Sequence, residues 1–350
     1  MKNVVSNLNF DDELLVSTAS IEESLKSDFW REASRPFYET VPVIGREAAP
    51  LEGAIKSREI AGITFASVSF NSQQYTRDRR VIALSGLDQY LIAVVTGGGV
   101  RGSFVNTNVT AELGDICILD LTQSLRCEVS AGGTLSVLIP RHFLEKSTGY
   151  TNLHGLVLKA NIPMVRLLTA YLKGLSQLRE HLSQDDVDAM QESLAIVLAA
   201  TIRGTGIERQ EQLCPLSIAL RQRVEKFIIL NIRNPNLDVG LILNYFKVSR
   251  SHLYRAFPDQ KGIAEIIRNY RLDSSFLELT RTESNRLSIS QIAFQHGFSD
   301  TGSFSRAFKL RFGVTPKEAK YERPAMQLGA ELRTYFMGLG EKFGGVEVIR

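Results

Sequence analysis

The sequence predicts an α+β chain in two successive parts: a strand-rich N-terminal half that ends in a helical hairpin, then an all-α C-terminal region. Three observations carry that prediction. Residues 50–140 hold short apolar runs punctuated by glycine and asparagine, and residues 162–202 hold two apolar stripes at helical spacing. Near the end of the chain one unit of helix, short turn and second helix is written twice, over 237–257 and again over 287–308.

A chain of 350 residues has room for two domains, each with its own core. In the first half the runs 60–70, 81–84, 90–96, 99–104, 116–119, 125–129 and 135–139 read as strands. Their lengths and turn residues suggest an antiparallel barrel or sandwich rather than alternating strands and helices. The stripes Val165, Leu167, Leu168, Tyr171, Leu172, Leu175, Leu178 and then Val187, Met190, Leu194, Val197, Leu198 make a helical hairpin able to pack on that sheet or on a second subunit. The polar, glycine-containing stretch 204–216 reads as a linker between domains. Beyond the second repeat, Leu328, Leu332, Phe336 and Leu339 could line one face of a short helix in a C-terminal extension over 323–350.

In the first repeat Asp238 can cap a helix whose apolar face is Val239, Ile242, Leu243 and Phe246. In the second, Ser288 and Gln291 have the spacing of a capping box ahead of Ile289, Ile292 and Ala293. The turns are Lys247-Val248-Ser249 and Gly297-Phe298-Ser299, each with a serine placed to cap the next helix. Glycine at 297 suits a left-handed backbone and lysine at 247 suits it less well. The following helices bury Leu253 and Phe257, then Phe304 and Phe308, which leaves Arg255 and Arg306 at equivalent outward positions. The stretch 263–279, with Ile263, Ile266, Ile267, Tyr270 and Leu272, reads as a rigid connecting helix. Two such units on a rigid spacer can address adjacent major grooves, which lie roughly 34 Å apart on one face of a duplex.

Charge points the same way. Residues 221–320 contain 17 lysines and arginines against 9 acids, a balance of +8, while residues 1–220 sum to −5 within a chain total of +3. A basic C-terminal region beside a mildly acidic N-terminal one is the asymmetry expected when only one domain meets phosphate, although a charge excess of this size also fits a solvated basic surface.

Taken together, Val248-Ser249-Arg250-Ser251-His252-Leu253 with Arg255-Ala256-Phe257, then Ile292-Ala293, Gly297-Phe298-Ser299, Phe304-Ser305-Arg306-Ala307-Phe308 and Arg311-Phe312-Gly313-Val314-Thr315-Pro316, resemble the DNA-binding domain of the AraC/XylS transcription regulators. Lys247 replaces the family's usual glycine. The resemblance implies an AraC-type domain over 217–322, with base-facing candidates Arg250, Ser251, His252, Tyr254 and Arg255 in the first unit and Thr301, Gly302, Ser303 and Arg306 in the second. Arg255 and Arg306 suit guanine, because a guanidinium donates two parallel bonds to one guanine edge.

A looser resemblance, through Tyr90-Leu91-Ile92-Ala93-Val94, Gly114-Asp115-Ile116-Cys117-Ile118-Leu119-Asp120 and Leu138-Ile139-Pro140-Arg141-His142-Phe143-Leu144, links residues 1–150 to the family's cupin-like sensor barrel. It implies a small-molecule effector, a homodimer formed through the hairpin at 151–203, RNA polymerase as a partner, and activation of transcription.

Other chemistries find little support. Gly97-Gly98-Gly99-Val100-Arg101-Gly102 fits a dinucleotide fingerprint, but the hairpin-like residues after it offer no helix for a pyrophosphate, so it reads as a turn between strands. None of the five histidines falls in the strands of 50–140, so a metal-dependent cupin enzyme would lack its usual ligands, and neither cofactor nor metal is expected. The three cysteines form no CxxC pair. No apolar run approaches membrane-spanning length and the first residues lack the apolar core of a signal peptide, so the expected compartment is the cytoplasm.

Overall fold

Alternation along three central strands explains the first unit. In Tyr90–Val95 the side chains Tyr90, Ile92 and Val94 enter one buried cluster while Leu91, Ala93 and Val95 enter another. Ile116 and Ile118 against Cys117 and Leu119, and Val137 and Ile139 against Leu138, divide in the same way. A sheet covered on both faces has no use for a polar side, so these strands read as continuous apolar runs rather than alternating ones.

The computed structural model describes residues 13–43, 49–105, 107–148, 152–178, 182–204, 215–257, 262–280, 287–321 and 332–349. They fall into two compact units, 1–208 with 325–350, and 209–324. The first contains β1 (Glu13–Ser17), α1 (Lys26–Ser34), β2 (Glu39–Pro42), β3 (Gly53–Ile60), β4 (Ile63–Phe70), β5 (Gln73–Arg77), α2 (Arg79–Ser85), β6 (Gln89–Gly97), β7 (Val100–Phe104), β8 (Thr107–Ala111), β9 (Ile116–Asp120), β10 (Leu125–Val129), β11 (Gly132–Pro140), α3 (Arg141–Thr148), β12 (Leu156–Leu158), α4 (Pro163–Gln177) and α5 (Gln184–Gly204).

Eight strands form one antiparallel sheet in the order β12-β9-β6-β11-β4-β3-β1-β13, where β13 is Val346–Ile349. Five form a second, β2-β5-β10-β7-β8. Tyr75, Phe104, Val109, Leu125 and Val129 from the smaller sheet meet Leu91, Val95, Leu119 and Leu138 from the larger. On the larger sheet's other face lie Val165, Leu168 and Leu172 of α4 and Leu194 and Leu198 of α5. The α+β class holds, but the barrel is not closed: the two ladders share no pairing among the described residues. The sandwich half of the sequence expectation describes the arrangement better.

Two strand readings need correction. Residues 81–84 lie in α2, because Asp78 accepts the Val81 N–H at 2.9 Å and Gly86, at φ 62°, ends the helix. A capped start and a left-handed stop decide the state of an apolar run too short for periodicity to decide. The single run 60–70 is two strands, β3 and β4, joined at Ala61 and Gly62, both at positive φ, with Ile60 paired to Ile63. The triple-glycine motif sits between β6 and β7 with no helix after it, as its hairpin composition indicates.

Arg77 is wholly buried, yet its guanidinium donates to the carbonyls of Leu121, Pro36 and Phe37 and to Ser85 Oγ, so no donor is wasted. Burial lowers its pKa to about 10. His154 is similarly satisfied: Nδ1 accepts the Asp120 N–H at 3.1 Å and Nε2 faces the Ser124 carbonyl at 3.1 Å. That arrangement needs a neutral ring, and burial pushes its pKa below the ordinary value.

After the second unit the chain returns to the first. Helix α13 (Leu332–Phe343) buries Phe336 and Leu339 against Phe29 and Trp30 of α1, and Tyr335 Oη donates to the Glu32 carbonyl at 2.6 Å. Strand β13 then pairs antiparallel with β1, Leu14 opposite Val348 and Val16 opposite Val346. The sequence indicated the face carried by Leu332, Phe336 and Leu339; Leu328 lies outside the described residues, as do Cys214, His181 and most of the stretch read as a linker. No described helix is long and apolar enough to cross a membrane.

Candidate nucleic-acid interface

The second unit consists of α6 (Pro215–Leu230), α7 (Val239–Phe246), α8 (Arg250–Arg255), α9 (Ile263–Thr280), α10 (Ile289–Gln295), α11 (Thr301–Phe312) and α12 (Pro316–Ala319). Its first helix-turn-helix is α7 with α8. Asp238 Oδ1 accepts the Leu241 N–H at 2.7 Å and starts α7. Lys247 ends it in the left-handed region, φ 52° and ψ 44°, its N–H returning to the Leu243 carbonyl. The lysine therefore takes the backbone shape that glycine usually supplies, at a cost in strain rather than by distorting the turn. Ser249 Oγ accepts the His252 N–H at 3.2 Å and starts α8.

Leu253 is fully buried in a cluster with Val224, Ile228, Ile242 and Ile267. This fixes which face of α8 is outside. Arg250, Ser251, Tyr254 and Arg255 are exposed and His252 is half-buried. The Arg250 guanidinium lies 5.9 Å from the centre of the Tyr254 ring.

The second helix-turn-helix is α10 with α11. The capping box is present: Gln291 N–H donates to Ser288 Oγ at 3.1 Å and Ser288 N–H donates to Gln291 Oε1 at 2.8 Å. The cap of α11 is Asp300, one residue beyond the serine that the sequence pattern favoured. Its carboxylate accepts the N–H groups of Ser303 at 2.6 Å and Gly302 at 3.2 Å, and these bonds hold its pKa below the usual carboxylate range, with Arg306 contributing. A carboxylate takes two amides where a hydroxyl commonly takes one, and it also suits the positive end of the helix.

Phe304, Phe308 and Phe312 are buried at successive turns of α11, and Phe276 of α9 stacks on Phe308 at 5.7 Å and meets Phe312 at a tilt at 4.6 Å. The opposite face carries Gly302, Ser303 and Arg306 in the open, with Thr301 half-buried at its start. Ser303 Oγ donates to the Asp300 carbonyl at 2.9 Å, so its hydroxyl proton is already engaged. The absence of a side chain on Gly302 leaves room for Arg306, whose nearest guanidinium nitrogen lies 3.7 Å from where a Cβ would sit.

Sequence reasoning overlooked Lys309, exposed one turn after Arg306, and the neighbouring Leu310, which is 87% exposed. Together with Ser305, Arg306 and Thr315 they line an open depression. The three-residue step from Arg306 to Lys309 was the available signal. It also overlooked the ties to α9. Arg311 makes a two-pronged pair with Asp273 at 2.6 and 2.7 Å, and Arg271 donates to the carbonyl of Gly297 in the second turn and to that of Asn234 in the segment that leads into α7. His296 belongs to the core: Nδ1 donates to the Ile292 carbonyl, Nε2 accepts from Ser274 Oγ, and burial lowers its pKa.

A family described as a helix-turn-helix domain matches residues 242–321. Over 87 residues the chain is 37% identical to the probable transcription factor PqrA of Proteus vulgaris, a match covering 24% of this chain and 68% of that protein. It is 33% identical over 93 residues to an uncharacterized HTH-type transcriptional regulator of Staphylococcus aureus, 26% of this chain but only 12% of that much longer relative. Among solved structures, the AraC-like transcriptional activator CuxR aligns with TM-score 0.48 and 16% identity over 72% of this chain and 91% of that one. ToxT of Vibrio cholerae aligns with TM-score 0.43 and 16% identity over 74% and 96%. Two capped helix-turn-helix units around one central helix, the ordered motifs from Val248 to Pro316, and a relative matched over two thirds of its length place this chain in the AraC/XylS family of transcription regulators.

Proposed function

We propose that the protein binds duplex DNA sequence-specifically through α8 and α11, set in successive major grooves, and activates transcription together with RNA polymerase. The observation that carries this reading is the pairing of Arg255 and Arg306, exposed at equivalent places on two helices whose inner faces are buried against opposite ends of α9, Leu253 in the cluster with Ile267 and Phe308 against Phe276. Arg255 and Arg306 read guanine. Arg250, Tyr254, Lys309 and the half-buried His252 contact the backbone around the first and second boxes. Ser251 and Thr301 supply short polar contacts, and Gly302 allows close approach of the backbone. Ser303, with its hydroxyl already donating, acts through its oxygen as an acceptor or by holding Asp300 in place.

The first unit acts as the sensor in this reading. A small-molecule effector bound by this unit would shift the balance of active and inactive forms by its difference in affinity for them. The hairpin of α4 and α5 serves as a homodimer surface, supported by Leu167 and Ile196, which are 61% and 58% exposed on helices otherwise packed on the sheet. Family and fold favour a protein without enzymatic activity.

The test is selection from a random duplex pool with the full-length protein, Arg255→Ala and Arg306→Ala, each at two salt concentrations. The reading requires two short boxes about one helical turn apart. Each substitution should blur one box at a cost of about 1–3 kcal/mol. Retention that depends on salt but enriches no sequence, with or without a metabolite library, would reject it.

A further inference from the structure

A single side chain reaches both helix-turn-helix units. Arg271 stands in the middle of α9, and its guanidinium donates at 3.1 Å to the carbonyl of Gly297 in the turn before α11. Its other terminal nitrogen donates at 2.9 Å to the carbonyl of Asn234 and at 3.4 Å to that of Leu237, in the segment that enters α7. The two ends of one planar group thus hold chain segments that begin or turn the two DNA-reading motifs. A guanidinium is rigid and presents donors in fixed directions, which an ammonium does not.

Gly297 is fitted to this group. A Cβ there would lie 2.6 Å from the guanidinium carbon and 2.7 Å from a terminal nitrogen, closer than real side chains approach. The residue also holds φ 74°. Arg271 Nε is buried with no hydrogen-bond partner, so the group accepts the loss of one donor to keep the other two in position. The same helix contacts the core of the first motif through Ile263, Ile266 and Ile267 and the core of the second through Phe276. Arg271 is therefore the polar link at the point where the two cores share α9.

We infer that Arg271 is a positioning residue that sets the distance and phase between the two recognition helices, and hence the spacing of the two DNA boxes rather than their sequence. The inference rests on the two-groove reading above. Binding two boxes at once gains from preorganisation, because the second contact is made at high effective concentration only when the spacing is right. Loosening the link removes that gain and leaves each box's base preference unchanged.

The experiment uses the full-length chain in three forms, wild type, Arg271→Lys and Gly297→Ala, against two-box duplexes whose spacer is varied one base pair at a time, and against single-box duplexes. The expected result is that wild type prefers one spacer and that both variants lose about tenfold of that preference while single-box affinity stays within about twofold. A second readout needs no DNA. Spin labels at Ser251→Cys and Leu310→Cys, in a Cys214→Ser background, report the separation of α8 and α11, and its distribution should broaden in both variants. Arg271→Lys that keeps the wild-type spacer preference and a narrow distribution overturns the inference. Wild type without any two-box preference rejects the DNA reading instead, and the label distances then decide the role of Arg271 alone.

Discussion

At the scale of single residues, the second unit places backbone shape and side-chain chemistry in conflict at Lys247 and in agreement at Gly297. Lys247 holds a left-handed conformation in an exposed position. Lys247→Gly should therefore stabilise the protein by about 0.5–1 kcal/mol, the relief of strain less the added freedom of the unfolded glycine, measurable as a shift in the urea midpoint of this unit. The sequence identified the anomaly because left-handed turns have a residue signature. Asp300 was harder to identify, since serine and aspartate in adjacent positions are both good caps and only the register of α11 chooses between them. Arg271 left no signal, because its partners are carbonyls, which every residue carries. The two neutral histidines predict a pH effect. His154 and His296 both have folded pKa values below the ordinary one, so the unfolded chain binds protons that the folded chain refuses. Stability should be flat above about pH 6.5 and fall as pH drops below it, by up to about 1.4 kcal/mol per pH unit for each site. His154→Gln should halve that slope in chemical denaturation measured between neutral and mildly acidic pH; an unchanged slope would assign it to other groups.

At the scale of elements, what could be read from sequence depended on whether an element's pattern is written in its own residues. The capped helices α7 and α10, the connecting helix α9 and the hairpin α4–α5 carry periodic apolar faces over several turns, and each appears where its stripe indicates. The apolar runs of β6, β9 and β11 were visible as strands although they do not alternate, because both faces are covered. Strands such as β5 and β8 were missed: Gln73–Arg77 and Thr107–Ala111 are largely polar and take their strand state from pairing with β10 and β7. Helix α2 was misread for the opposite reason, since its caps lie outside the apolar run they control. Phe276 tests the central helix. It is fully buried against Phe308 and Phe312, so Phe276→Ala should cost about 3–5 kcal/mol and show as early melting of the second unit while the first keeps its transition.

At the scale of the whole molecule, the order of elements along the chain differs from a simple succession of two domains. Residues 325–350 belong with residues 1–208, and 209–324 form the other unit. Removing 332–349 would uncover Phe29 and Trp30 and leave β1 as the sheet's edge. The first unit should then melt earlier and tend to aggregate, with the transition of the second unchanged by differential scanning calorimetry. The return of α13 and β13 could not be read from β13 alone, four residues whose partner is more than three hundred positions away. Its consequence is topological. With both its ends secured in the other unit, the helix-turn-helix segment is a loop rather than a pendant, and a protease site built in between residues 209 and 210 should yield two fragments on a denaturing gel and one particle on a sizing column. Breaking one crossing opens the loop and releases nothing; separation of the two pieces would require β13 to be peeled from β1 as well.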